Sequence, residues 1–334
     1  MQNDLYKYLE NLTPLRQKQL RHAVFVNLID NAEGLTTFSK IEREKIKEEF
    51  VFTPFEVLEE QTSRDGSTKW AFKLADGKVI ETVLMEFHDG RNTVCVSSQV
   101  GCPSGCLFCA TGQLGFIRNL SSWEILSQAL YAGRKLKAQD KKITNIVFMG
   151  MGEPLLNWDN VLPAIKELND PDYFNLGRRH MTLSTCGPIA GLEKFIEAET
   201  GVTLAISLHA PNQILREKLM PIARSNKLPD LVNILDKYVR STHKRVSYEY
   251  LLLDGVNDTD QSAIELANLL KGKLAFVNLI VFNPIEKSAF SPSKRDRVDR
   301  FREILERNHI EVTVRVSLGD EISAACGQLA GEKS

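Results

Sequence analysis

The stretch "SSQVGCPSGCLFCATGQLGF", residues 97–116, holds three of the chain's six cysteines: Cys102, Cys106 and Cys109. Three thiols are too few to close a tetrahedral zinc site and are an odd number for disulfides. A cubane iron–sulfur cluster has four irons held by cysteine thiolates, so three cysteines would leave one iron open. An open metal position is typical of a catalytic site. A zinc site completed by a histidine or a distant cysteine, and a purely structural thiol cluster, are the alternatives.

The composition indicates a globular protein of a reducing compartment. Of the 334 residues, 43% are apolar and 25% charged, and we find no apolar run long enough for a membrane helix. The first 20 residues lack the apolar core of a secretory signal. We therefore expect a cytoplasmic protein whose cysteines serve metal or redox chemistry. The net charge of −1 gives no support for nucleic-acid binding. Local basic stretches, residues 16–22 and 293–303 among them, are typical of solvated helix faces.

The sequence pattern divides the chain into three parts. Residues 1–50 show helical spacing and predict a small accessory helical domain. Residues 51–92 alternate apolar and polar positions, with turns at Asp65-Gly66 and Asp76-Gly77, and predict a small antiparallel sheet. Residues 93–334 alternate short β-branched runs with helical patterns, which predicts an α/β fold of six parallel strand–helix units, an incomplete barrel. The predicted strands are 93–99, 145–150, 181–185, 202–208, 245–253 and 276–283, with a seventh at 311–317.

Polar and glycine-rich segments follow these predicted strands. Catalytic groups collect at the carboxyl ends of parallel strands, and "QVGCPSGCLFC", "MGEPL", "CGP", "HAP", "DGVND" and "NPIEK" all lie there. In a helix from residue 121 we expect Ser122 to cap, with Glu124 in the first turn.

The cysteine spacing C-x3-C-x2-C after the first barrel strand resembles that of the radical S-adenosylmethionine enzymes. In them the open iron binds the cofactor's amino and carboxylate groups, and reductive cleavage yields a 5′-deoxyadenosyl radical. The motifs "CVSSQVGC", "FMGMGEPLLN", "LAISLHAP", "VNLIVFNP" and "GDEISAACGQLAG" narrow the resemblance to the RNA adenine-C2 methyltransferases, which act on 23S rRNA and tRNA. The resemblance runs from about Glu81 to Gly331, and residues 1–50 resemble that family's RNA-binding accessory domain.

The resemblance implies a role for each matching position. Cys102, Cys106 and Cys109 would hold a [4Fe–4S] cluster, Cys326 would carry the methyl group in a C-terminal loop, and Cys95 would resolve the protein–RNA adduct as a disulfide. Glu81 falls at the proposed proton acceptor. The positions matching those that hold S-adenosyl-L-methionine are Gly152, Glu153, Ser184, Ser207, Leu208, His209 and Asn283.

The chemistry of adenine methylation explains why these residue types are needed. The C2 and C8 carbons of adenine are electrophilic, so direct electrophilic methylation does not suit them. A route that fits methylates the Cys326 thiolate, adds its methyl carbon to adenine as a radical, and releases the product by attack of Cys95. The target base must be flipped or already unstacked to reach the site. We expect a monomer that uses an electron donor such as flavodoxin or ferredoxin and does not bind membranes.

Three alternatives stay open at this point. Pro154 favours C2 over the C8 product of the antibiotic-resistance relatives. A radical enzyme acting on a protein or metabolite would leave Cys326 and Cys95 without a role, as would a non-catalytic metal-binding module.

Cys186, where the family commonly has serine, is interpreted as a tolerated small replacement, and the alternative is a competing thiol beside the cofactor.

Overall fold

The computed structural model describes residues 5–286, 288–315 and 317–331; positions 1–4, 287, 316 and 332–334, which the predicted ranges include, lie outside the described residues. The helices are α1 Leu5–Leu9, α2 Pro14–Phe25, α3 Lys40–Glu49, α4 Ala110–Leu114, α5 Ser122–Lys137, α6 Trp158–Asn169, α7 Ile189–Glu197, α8 Gln213–Leu219, α9 Leu228–Thr242, α10 Asp260–Leu270 and α11 Arg295–Arg307. The strands are β1 Phe55–Thr62, β2 Thr68–Leu74, β3 Val79–Glu86, β4 Asn92–Cys95, β5 Gln99–Gly101, β6 Phe116–Asn119, β7 Asn145–Phe148, β8 Met181–Thr185, β9 Thr203–Ser207, β10 Val246–Leu252, β11 Ala275–Val281 and β12 Val312–Arg315. Among the described helices, none has the length and apolar character to cross a bilayer.

Ten strands form one sheet, in the order β1-β2-β3-β4-β7-β8-β9-β10-β11-β12. From β4 to β12 every neighbouring pair is parallel. Residues of β7, β8, β9, β10, β11 and β12 all line one cavity of about 150 Å³. Laid flat, six strands would span about 24 Å, so the sheet must curl around that cavity. The predicted incomplete barrel is therefore confirmed.

The predicted antiparallel strands are also present, and they continue the barrel sheet. β1 pairs with β2, β2 with β3, and β3 with the first barrel strand β4, all antiparallel. In the last of these pairs Val83 lies opposite Cys95. The segment 51–92 therefore continues the sheet beyond β4, the first barrel strand. Its strand β3 pairs with β4 up to Cys95, the last residue of β4.

Two details of the prediction were wrong. The first barrel strand was expected over 93–99 but ends at Cys95. Gln99–Gly101 pairs instead with Phe116–Asn119 as a separate two-stranded ribbon, which closes the base of the cysteine loop. Ser121, not Ser122, is the N-cap of α5: its side chain accepts from the Glu124 N–H, and the Glu124 carboxylate accepts from the Ser121 N–H. This is the reciprocal pair of a capping box.

The N-terminal helices pack against the outer side of the barrel helices. Trp123 of α5 lies edge-on to Phe25 with 6.3 Å between ring centroids, and its indole N–H donates to the carbonyl of Val51 at 2.7 Å. Arg21 of α2 donates both Nε and Nη2 to the buried Glu167 carboxylate of α6. A planar guanidinium held in this way fixes orientation as well as position.

Candidate active site

A tight ribbon holds the loop that carries the three cysteines. The Cys102 N–H donates to the carbonyl of Gly115 at 2.9 Å. At Gly101, which has φ +72°, a Cβ atom would lie 1.9 Å from that same carbonyl oxygen. Only glycine allows this close approach together with a positive φ. The strand pairing therefore fixes where the cysteine loop begins.

The three cysteines line the cavity at the carboxyl ends of the barrel strands. Among the predicted site residues, the structure brings together around it Cys102, Cys106, Cys109, Gly152, Glu153, Ser184, Ser207, His209 and Cys326. Glu81, Leu208 and Asn283 are not among the residues lining it. Leu208 donates its backbone N–H to the Glu249 carbonyl, and the Asn283 amide donates to the carbonyl of Cys326 at 3.2 Å. Leu208 and Asn283 therefore both donate hydrogen bonds to residues that line the cavity.

The three thiols fit the ligand set of a metal cluster because they border one cavity. Within the described ranges, no three cysteine, histidine or carboxylate side chains converge closely enough to hold one metal ion. The three cysteines stand instead around a shared space, as ligands of a four-iron body must. Burial raises the pKa of the Cys102 thiol to about 12. Such thiols become thiolates when bound cations stabilise the negative charge.

Glu153 presents a carboxylate to the same cavity. It is 2% exposed, and it accepts from the Leu155 N–H at 3.0 Å, the Thr185 hydroxyl at 2.7 Å and the Cys186 N–H at 2.6 Å. Burial raises the pKa of the Glu153 carboxyl in spite of these hydrogen bonds. A cationic ligand group would compensate for that burial, and the ammonium group of an amino acid has the required charge.

His209 is held as a neutral ring. Burial, followed by repulsion from Arg216, lowers the pKa of His209 to about 3. Its Nδ1 accepts from the Leu251 N–H at 3.0 Å, which places the ring proton on Nε2, and Phe108 packs edge-on against the ring at 4.8 Å. His209 is therefore a positioned hydrogen-bonding group and not a proton-transfer residue at neutral pH.

A second cavity of about 490 Å³ joins the two remaining predicted cysteines. Cys95, at the end of β4, and Cys326, in the loop after β12, both line it. Burial raises the pKa of Cys95 to about 12, whereas Cys326 is exposed. Cys326 also lines the first cavity, so it stands where the two spaces meet.

Glu81 lies behind the Cys326 loop and away from both cavity linings. Its carboxylate is 3.1 Å from the Lys69 ammonium and accepts the backbone N–H groups of Ala330 and Gly331 at 2.7 and 3.2 Å. In this arrangement it fixes the end of the loop that carries Cys326.

Two charged residues of the site escaped prediction from the sequence. Arg315 lines both cavities, and the electrostatic interaction with Cys326, with smaller contributions from Glu249 and Cys95, raises the pKa of its guanidinium against the effect of burial. Glu249 is buried, and its Oε2 lies 4.0 Å from Arg315 without a hydrogen-bond donor. Their predicted strands also contain a second charged residue each, Arg245 in 245–253 and Glu311 in 311–317. No signal in the sequence therefore singled out Glu249 and Arg315.

The basic stretches at residues 16–22 and 293–303 are partly used within the fold. Arg16 pairs with Glu42, Arg21 with Glu167, and Arg300 with Asp260. These ion pairs reduce the positive charge that the stretches offer to a polyanion.

The chain is similar to known proteins over nearly its whole length. A family model described as the radical SAM superfamily matches residues 96–267, so the chain belongs to that superfamily. A protein of Chloroflexus aurantiacus named "Probable dual-specificity RNA methyltransferase RlmN" is 44% identical over 100% of this chain and 94% of its own length. A "Dual-specificity RNA methyltransferase RlmN" of Alkalilimnicola ehrlichii is 44% identical over 96% of this chain and 88% of its own. The chain belongs to the RlmN family.

A solved structure leads to the same classification. A radical SAM methyltransferase from Sphaerobacter thermophilus superposes with a TM-score of 0.95 at 40% identity, covering 99% of this chain and 98% of that one. The family resemblance, the fold class and the two cofactors expected from the sequence, a [4Fe–4S] cluster and S-adenosyl-L-methionine, are confirmed.

Proposed function

We propose that the chain methylates C2 of adenosine in 23S rRNA and tRNA through an S-methylcysteine at Cys326. One observation carries the proposal: Cys326 borders two cavities. In the first it faces the three clustered cysteines and Glu153, and in the second it faces Cys95. A residue that receives a group in one space and delivers it in another must stand at their junction.

The first cavity supplies the residues that would hold the cofactors. Cys102, Cys106 and Cys109 would ligate the cluster, and Glu153 would accept hydrogen bonds from the ammonium of S-adenosyl-L-methionine. When bound, these cofactors supply a methyl group and a hydrogen-abstracting radical. The remaining predicted residues, Gly152, Ser184, Ser207, Leu208, His209 and Asn283, shape the wall or position its members. Ser184 and Ser207 are within hydrogen-bonding distance of each other at 3.3 Å, and the unpaired Oε2 of Glu249 offers an acceptor to a bound hydroxyl or amine.

Arg315 gives Cys326 its positive neighbour. A thiolate is the nucleophilic form of cysteine, and a nearby cation favours it. We expect Arg315→Met to slow methylation of Cys326 and Arg315→Lys to restore part of the rate, measured by peptide mass after a single exposure to cofactor. Equal rates in Arg315→Met and the wild type would remove Arg315 from this role.

Cys95 completes the cycle by attacking the sulfur of Cys326, which releases methylated RNA and forms a disulfide. The raised pKa of Cys95 keeps it protonated and unreactive until a base takes its proton. Glu81 is the proposed acceptor of the proton lost from adenine. Because Ala330 and Gly331 donate to its carboxylate, Glu81 becomes available when the C-terminal loop moves.

The rest of the chain would serve substrate and electron delivery. The helical domain of residues 1–50 contacts RNA, residues 51–92 extend the sheet, and residues 93–334 form the catalytic core. The target adenosine enters flipped or unstacked, since a base carbon inside a stack cannot reach Cys326. The enzyme acts as a cytoplasmic monomer and receives electrons from a flavodoxin or ferredoxin.

The test is mass spectrometry of nucleosides from RNA treated anaerobically with the reconstituted enzyme. We expect 2-methyladenosine in 23S rRNA fragments and in tRNA. A main product of 8-methyladenosine would favour the C8 reaction, and unmodified RNA together with cofactor cleavage would favour a protein or metabolite substrate.

A further inference from the structure

Cys186 lies against one of the cluster cysteines. Its Sγ is 3.9 Å from the Sγ of Cys106, and within the described residues no other pair of the six cysteines makes a hydrogen-bonding contact. We propose that Cys106 and Cys186 form a reversible disulfide when the protein has lost its cluster and meets a peroxide. The proposal rests on the assignment of Cys106 as a cluster ligand.

The backbone of Cys186 is fixed on both sides of its side chain. Its N–H donates to Glu153 at 2.6 Å, and its carbonyl accepts from Arg216 at 2.6 Å. Arg216 is completely buried. The thiol therefore stays beside Cys106 and cannot swing away with a loop. Since a disulfide has an S–S distance of about 2.05 Å, closure requires the two sulfurs, now 3.9 Å apart, to approach by about 2 Å, with the movement on the side of Cys106 and in the two side chains.

The chemistry needs one oxidant of a defined class. The thiolate of one cysteine attacks hydrogen peroxide, forms a sulfenic acid and releases hydroxide, which takes up the proton that the thiol had lost and becomes water. The second thiol displaces the hydroxyl group, so that two thiols and one peroxide give one disulfide and two waters. While the cluster is bound, iron occupies the Cys106 sulfur and the reaction cannot start. Loss of the cluster is therefore the event that permits it.

The disulfide would protect the ligand set. A sulfenic acid that finds no thiol is oxidised further to sulfinic acid, which thiol reductants do not reverse. Cys186 offers Cys106 a thiol in contact distance, so oxidation stops at a state that dithiothreitol repairs. Cluster loading then depends on prior reduction, which couples assembly of the active enzyme to the redox state of its surroundings.

Peptide mapping of cluster-free protein tests the proposal without any methyl transfer. Trypsin leaves Cys106 in peptide 92–118, Cys186 in peptide 180–194 and Cys326 in peptide 316–333. In a Cys326→Ser background, which prevents pairing of Cys95 with Cys326, peroxide should lower the count of free thiols from five to three. The non-reducing digest should contain peptide 92–118 linked to peptide 180–194.

Single variants identify the partner within peptide 92–118, which also contains Cys95, Cys102 and Cys109. Cys106→Ser should abolish the link, whereas Cys109→Ser, the matched loss of another cluster ligand, should retain it. In Cys186→Ser, peroxide should leave sulfinic acid on peptide 92–118, and subsequent dithiothreitol should restore less iron binding than in the parent. A link that survives Cys106→Ser would overturn the proposal, as would oxidation without any link. Neither result bears on whether the loaded enzyme methylates RNA.

Discussion

Replacing Glu153 by glutamine tests the charge in the cofactor cavity. Oε1 accepts from Leu155 and Thr185, while Oε2 accepts from Cys186. The amide oxygen can keep the first two donors, so the amide nitrogen then faces the Cys186 N–H. One buried donor without an acceptor costs about 1–3 kcal/mol of stability. Losing a charge-assisted hydrogen bond to the cofactor ammonium costs about 1.5–3 kcal/mol, which is about a 10- to 150-fold weaker Kd.

The raised pKa of Glu153 determines how stability and cofactor affinity should change with pH. Burial raises the pKa of Glu153 in the folded chain, so the folded state keeps a proton that the unfolded chain has released above about pH 4.3. The contribution of Glu153 to stability is therefore complete below that pH and is lost as the pH rises through the raised pKa. Glutamine does not titrate, so the stability deficit of Glu153→Gln should shrink as pH rises. Cofactor affinity should rise with pH over the same window in the wild type only.

Urea unfolding of cluster-free protein and equilibrium binding of S-adenosyl-L-methionine to reconstituted protein measure the two effects. Glu167→Gln is the matched control, because Glu167 is also buried with a raised pKa but pairs with Arg21. It should lose stability and keep its cofactor affinity. Wild-type affinity in Glu153→Gln, or an equal loss in Glu167→Gln, would refute the reasoning.

Three further predictions concern the cysteines and one glycine. Cys102→Ala should bind less iron after anaerobic reconstitution and should not cleave the cofactor; stoichiometric zinc in its place would contradict the cluster assignment. Cys95→Ala should accumulate a nuclease-sensitive protein–RNA adduct on denaturing gels, while Cys326→Ala should form none; an adduct in Cys326→Ala would assign the methyl to another residue. Gly152→Ala should cost about 2–5 kcal/mol in urea unfolding through strain and overpacking, since its Cβ would lie 2.6 Å from Gln99 at φ +105°. Gly77→Ala, with φ +80° and open space around it, should cost about 1–2 kcal/mol, and equal losses would show that the contact with Gln99 is unimportant.

The sequence predicted the barrel because its signals are local. Runs such as Met181–Thr185 are short, β-branched and followed by helices, and β8 has the predicted bounds. The first strand was misjudged because "TVCVSSQ" is equally suited to one long strand or to two short ones. Pairing of Gln99 with Asn119, twenty residues away, decides between them, and no local pattern contains that information.

The cysteines of the site were predictable, but their surroundings were not. Three cysteines at fixed spacing limit the chemistry before any fold is known. Arg315 and Glu249 become meaningful only when β10 and β12, two strands apart in the sheet, present them to one cavity. The contact of Cys186 with Cys106 likewise joins two loops 80 residues apart.

The methyl-carrier role proposed for Cys326 would require its loop to break contacts that hold it in place. Ala110 donates to the carbonyl of Gly327 at 2.8 Å, the Thr111 hydroxyl donates to the carbonyl of Leu329 at 2.6 Å, and Glu81 accepts from Ala330 and Gly331. Ala110 and Thr111 directly follow Cys109, so the loop of the three cysteines and the loop of Cys326 contact each other. A shift that carries Cys326 toward the second cavity would strain these bonds and free the Glu81 carboxylate. If Glu81 is the proton acceptor, as proposed, it would then be released by the same movement that presents the methyl carbon to adenine, which orders the two steps without a separate switch.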